Sequence, residues 1–70
     1  PNPVNHELRI NANSDIASLR IIATDGRELV TRSVRTANTS IAVDRIQAGA
    51  YLLVVTFTDG TTAHERFVKH

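Results

Sequence analysis

Apolar and polar residues alternate with a period of two along most of this chain. Leu8 and Ile10 alternate with Glu7, Arg9 and Asn11, and Leu19, Ile21 and Ala23 alternate with Arg20 and Thr24. Ile22 interrupts that second polar face. The clearest run places Tyr51, Leu53, Val55 and Phe57 on one face and Leu52, Val54, Thr56 and Thr58 on the other. Successive side chains of a strand point to opposite faces, and β-branched residues suit a pleated surface, so these runs predict strands. No window carries a sustained helical stripe.

Turn signals fall between the runs. Asp25-Gly26 separates 18–24 from 28–34, and Asp59-Gly60 separates 51–58 from 62–68. Asp-Gly between two strand-like runs predicts a tight hairpin in which both turn residues reach positive φ. Residues 11–15 and 36–39 read as polar loops. The predicted strands are 6–11, 18–24, 28–34, 39–43, 50–58 and 61–68, with Val4 beginning a short extra edge pairing. Short strands with turns about every 8–12 residues predict a sandwich rather than a βαβ fold. The fold class is therefore all-β, an Ig-like antiparallel β-sandwich of six to seven short strands. The strand at 50–58 is apolar on both faces, threonines aside, which makes it central.

Gly49 precedes this strand, and Tyr51 follows two residues later. That arrangement predicts a tyrosine corner, in which the hydroxyl bonds backbone a few residues upstream and pins the connection between sheets. The acceptor should lie between Asp44 and Ala48.

Composition narrows the function. Seventy residues form one domain. A chain this short buries only about 60% of its unfolded surface, so the core is marginal. There is no Cys, which leaves neither a disulfide nor a thiolate metal site to staple the fold. The three aromatics are Tyr51, Phe57 and Phe67, so the core is mostly aliphatic. Eight basic and seven acidic residues are spread along the chain, unlike the clustered basic charge of a nucleic-acid footprint. Seven of the eight basic residues are Arg, and they read as solvated strand faces. The longest apolar run, 48–55, falls far short of the roughly 20 residues of a transmembrane helix. With Pro1 at its head and no Met, the chain reads as a piece of a larger protein.

Candidate chemistry is sparse. His6, His64 and His70 share no metal-ligand spacing, and His64 and Glu65 point to opposite faces of one strand. Asp25, Asp44 and Asp59 read as turn residues, and the three glycines stand apart rather than forming a phosphate loop. Asn38-Thr39-Ser40 fits the N-glycosylation pattern, a weak three-residue signal. No catalytic site, cofactor site or metal site is expected.

Pro1-Asn2-Pro3, Asp25-Gly26-Arg27-Glu28-Leu29, Ile46-Gln47-Ala48-Gly49-Ala50-Tyr51 and Phe67-Val68-Lys69 occur in this order across the whole chain. In that order and spacing they resemble the type A C-terminal sorting domain of the type IX secretion system of Bacteroidetes. That family shows a Pro-Asn-Pro opening, a Gly-Arg hairpin, a Leu-Pro-x-Gly-x-Tyr corner and a last strand ending in Lys. Here Ile46 stands for the usual Leu and Ala48 for the usual Pro, which leaves Gly-x-Tyr intact and the corner slightly less rigid.

The resemblance implies a non-enzymatic address label, 1–70, at the C-terminus of a cargo protein. It implies handling by the type IX translocon, an outer-membrane shuttle and a sortase. It implies passage through the periplasm to the outer membrane, cell surface or exterior, with the domain cleaved or retained. The residues expected to matter for recognition are Gly49, Tyr51, Phe67, Val68 and Lys69. The last strand should lie at or near a sheet edge, which offers backbone groups to a partner strand. Lys69 is expected to be exposed, either as a point charge for a receptor or, with Arg66, as a guard against edge aggregation. The alternative is an Ig- or fibronectin-like adhesion or carbohydrate-binding module. A carbohydrate module would normally display aromatic platforms, whereas this chain has no Trp and its one Tyr is used at the corner. A small enzyme or inhibitor domain is the third possibility, and the sequence favours it least.

Overall fold

A computed structural model describes residues 6–70. The expected edge pairing at Val4 and the Pro-Asn-Pro opening lie outside the described residues. Six strands are present: β1 (Glu7–Asn11), β2 (Ile16–Ala23), β3 (Glu28–Ser33), β4 (Asn38–Ala42), β5 (Gly49–Phe57) and β6 (Thr62–Lys69). They form two antiparallel sheets, one with the order β1-β4 and one with the order β3-β2-β5-β6. The all-β sandwich class read from the alternation is the observed class.

The inner faces of both sheets meet in one core. The small sheet contributes Leu8 and its cross-strand partner Ile41, and Val43 follows them. The large sheet contributes Leu19, Ile21, Tyr51, Leu53, Val55 and Phe67. Tyr51, Leu53 and Val55 face inward as their alternation predicts, and Phe57 packs against the core half-buried. β5 lies between β2 and β6, which explains its two apolar faces: Val54, on the outer face, is also buried. Its register neighbours there are Arg20 and His64.

Two local expectations need correction. β2 starts at Ile16, before the predicted 18. Ile16 has no exposed surface, and its N–H donates to the Thr36 carbonyl at 3.1 Å. A register shift between Ile16 and Ser18 breaks the alternation that would have marked the residue as strand.

The hairpin turns also differ from expectation. Among the described residues only glycines take positive φ, so Asp25 and Asp59 keep a negative φ. The Gly26 N–H donates to the Ala23 carbonyl at 2.9 Å, and the Ala23 N–H donates to the Arg27 carbonyl at 2.8 Å. The second hairpin repeats this pattern with Gly60 on Phe57 at 2.9 Å and Phe57 on Thr61 at 2.8 Å. Each is a type I turn closed by a left-handed glycine bulge, with φ +92 at both Gly26 and Gly60. The Asp side chain favours this form because it caps the turn. Asp25 Oδ1 accepts from the Arg27 N–H at 3.0 Å, and Asp59 Oδ1 accepts from the Thr61 N–H at 2.9 Å.

A candidate recognition site at the last strand

The segment 43–48 carries the chain from β4 in the small sheet to β5 in the middle of the large one. Such a crossing has no ladder partner, so its carbonyls need other donors. Tyr51 supplies one. Its hydroxyl donates to the Gln47 carbonyl at 2.5 Å, inside the window expected for a tyrosine corner. The ring is held as well as the hydroxyl. Phe67 is the register partner of Tyr51 on β6, and the two rings stack with centroids 5.6 Å apart at 26°.

Lys69 supplies a second donor, which corrects the expected exposure of this residue. Lys69 is buried, with 8% of its surface exposed, and its Nζ donates to the Ile46 carbonyl at 3.1 Å. Its place in the ladder accounts for this. Lys69 sits on the inner face of β6, two residues after buried Phe67, and its register partner is Gly49. A partner without a side chain leaves room for the lysine stem. The stem is buried, and the Ile46 carbonyl gives the part-buried Nζ an acceptor.

Gly49 has φ +155, a backbone conformation that side-chain-bearing residues rarely adopt. A Cβ there would only touch the Tyr51 ring at 3.9 Å, so the constraint is the backbone and not space. Val68 points the other way from Phe67 and Lys69, and 42% of it is exposed. The five predicted residues therefore converge on one end of the sandwich in different roles. Gly49, Tyr51, Phe67 and Lys69 build that end, and Val68 is displayed on it.

Among the described residues β6 is the outermost strand of the large sheet, and the side chains of Thr62 through Arg66 are exposed. Ala63 and Glu65 pair with Val55 and Leu53, which places them on the inner face. They stay exposed because the small sheet does not reach over them. A cleft of about 260 Å³ opens there between β1 and β6, lined in part by Leu8, Ile10, Leu53, Val55, Phe67 and Glu65. An inward-pointing carboxylate at a sheet edge discourages indiscriminate strand pairing. Two features escaped the sequence reading: this cleft and the bond from Lys69 to the Ile46 carbonyl. The cleft follows from a two-stranded sheet covering a four-stranded one, and no local motif encodes that. Among the described residues, no helix is long and apolar enough to cross a membrane.

Compared with known proteins, the chain matches one family, described as the secretion system C-terminal sorting domain, over residues 1–70. No curated protein and no solved structure gives a match.

Proposed function

This chain belongs to the secretion system C-terminal sorting domain family, and from that premise we propose that its folded sandwich, rather than a linear tag, is what the machinery handles. Domains of this family are C-terminal sorting signals of the type IX system, and they direct export to the outer membrane, cell surface or exterior. In the reading advanced here, residues 1–70 are the sorting domain of a longer cargo protein. The domain folds in the periplasm, is bound there by a shuttle component and passes with its cargo through the outer-membrane translocon. A sortase then removes it as the cargo is attached to the surface.

The observation that carries this reading is the state of β6. Among the described residues the last strand is the outermost of its sheet, its first five residues are exposed, and it ends in a built corner that includes Gly49, Tyr51, Phe67, Val68 and Lys69. An exposed edge can accept a partner strand through its backbone.

The test is a fusion of residues 1–70 to the C-terminus of a periplasmic reporter. In a host with an active type IX system the reporter should appear outside the outer membrane. In a translocon-deficient strain it should remain periplasmic. An intact fusion that stays in the periplasm while the host exports its own cargo would overturn the reading in favour of an adhesion module.

A further inference from the structure

Lys69 and Tyr51 act on neighbouring links of one short segment. The ammonium holds the Ile46 carbonyl and the phenol holds the Gln47 carbonyl. The donors come from β6 and β5, which are joined by their ladder and by the Tyr51–Phe67 stack. Within the segment, Ile46 donates its N–H to the Val43 carbonyl across a long 3.3 Å. Asp44, Arg45, Gln47 and Ala48 are exposed on it. The segment thus presents polar side chains at the end of the sandwich where Val68 is displayed, and residues distant in the chain hold it in place.

We propose that Lys69 is a positioning residue that latches the crossing segment to the end of β6, so that the two form a single surface for the type IX machinery. Its ammonium is used inside the domain and is not offered to the receptor. One of its N–H groups is committed to the Ile46 carbonyl, at a part-buried position. The exposed groups available to a receptor are Asp44, Arg45, Gln47 and Val68. A chain that ended before residue 69 would leave the Ile46 carbonyl without its donor even if the rest of β6 stayed paired. The latch therefore makes the shape of the crossing depend on an intact end of β6.

The inference rests on the sorting reading, and two measurements keep the two apart. Amide exchange on the 70-residue chain reports the latch, and export of the reporter fusion reports recognition. The variants are Lys69→Met, which keeps the stem and removes the donor, and Tyr51→Phe, which removes the other donor and keeps the ring. Each should speed exchange of the Ile46 amide by about tenfold, the change expected when one hydrogen bond is lost. Amides in the middle of β2 and β5 should be unchanged. Each variant should lower export several-fold at temperatures where both remain folded. The double variant should lose less than the product of the single effects, because both act through one segment.

Three results would overturn the latch. In the first, Lys69→Met abolishes export while Tyr51→Phe exports normally and Ile46 exchange stays slow; the ammonium is then read directly. In the second, exchange rises in both variants while export is unchanged; the segment is then not read. In the third, exchange rises across β2 and β5 as well, which makes Lys69 a general stabiliser. If the Lys69 variant does not fold, Tyr51→Phe carries the test alone: slow Ile46 exchange or undiminished export in it overturns the latch. If the unmutated fusion is not exported, the sorting reading fails, while the exchange measurement still decides whether the latch exists.

Discussion

The two Asp-Gly hairpins and the crossing between β4 and β5 both carry the chain from one strand to the next, but they are held by different materials. Each hairpin closes within a few residues: the glycine takes positive φ, and the Asp carboxylate bonds the backbone two residues on. The crossing has little of its own. Its two consecutive carbonyls are held by Tyr51 and by Lys69, which lies 23 residues beyond its acceptor. A hairpin of this kind can form before the sheets meet. The crossing takes its shape only when β5 and β6 are in place.

The largest expected effect comes from breaking the crossing outright. Tyr51→Ala removes the hydroxyl bond, the stack on Phe67 and a mostly buried ring. The cost should be about 3–5 kcal/mol, the usual range for emptying an aromatic core site. Chemical denaturation of the 70-residue chain measures it. A loss below about 1 kcal/mol, no more than one net hydrogen bond, would mean that the crossing is held by something other than Tyr51.

The hairpins should respond more mildly and independently of each other. Gly26→Ala and Gly60→Ala each force a Cβ into a left-handed conformation, at a cost of about 1–2 kcal/mol. An added Cβ meets no atom within 4 Å at either position, so the cost is one of backbone conformation alone. The turns share no hydrogen-bond partner, so the double variant should lose the sum of the two. Marked non-additivity in the denaturation midpoints would show that the hairpins are not the self-contained units their hydrogen bonds suggest.

The same contrast explains what the sequence could reveal. The hairpins were legible because their chemistry lies in adjacent residues, although the type of turn was not: the spacing does not say which residue takes positive φ. The central place of β5 was legible from its two apolar faces. The tyrosine corner was legible because Gly49, Tyr51 and the acceptor Gln47 fall within five residues of one another. The role of Lys69 was not. A lysine near the end of an edge strand reads as exposed, and only the register that sets it opposite Gly49 gives its stem a place inside. Ile16 was missed for a similar reason, because the bulge after it interrupts the period on which the strand was recognised. In each case the missing information was the pairing of distant residues.

Tyr51→Phe separates the ring of the corner from its hydroxyl. The stack on Phe67 and the burial remain, and only the bond to Gln47 is lost. Stability should fall by about 1 kcal/mol, the net worth of one hydrogen bond. A loss as large as that of Tyr51→Ala would place the whole value of the corner in the hydroxyl. A loss near zero would place it in the ring and its stack on Phe67.

The smallest effect should come from acid. The Arg27 amide, helped by the Arg27 guanidinium, holds the Asp25 carboxyl below its ordinary 3.8. The Thr61 hydroxyl, and then its amide, does the same for Asp59. A carboxyl whose pKa is lower folded than unfolded stabilises the fold above the unfolded value and loses that contribution as pH falls through the folded value. Both turns should therefore be at full strength above pH 3.8 and weaken below it. Both carboxylates are exposed, so the change is small. The comparison that isolates it sets the chain against the double variant Asp25→Asn, Asp59→Asn, with Tm followed from about pH 5 to about pH 2. The amide keeps an acceptor oxygen for the Arg27 and Thr61 N–H groups and cannot be protonated in this range. The variant should start slightly lower and fall less steeply, with the two curves converging in acid. Parallel curves would mean that the Asp side chains act in these turns through shape alone. The hairpins would then be set by the backbone of Gly26 and Gly60, each at φ +92.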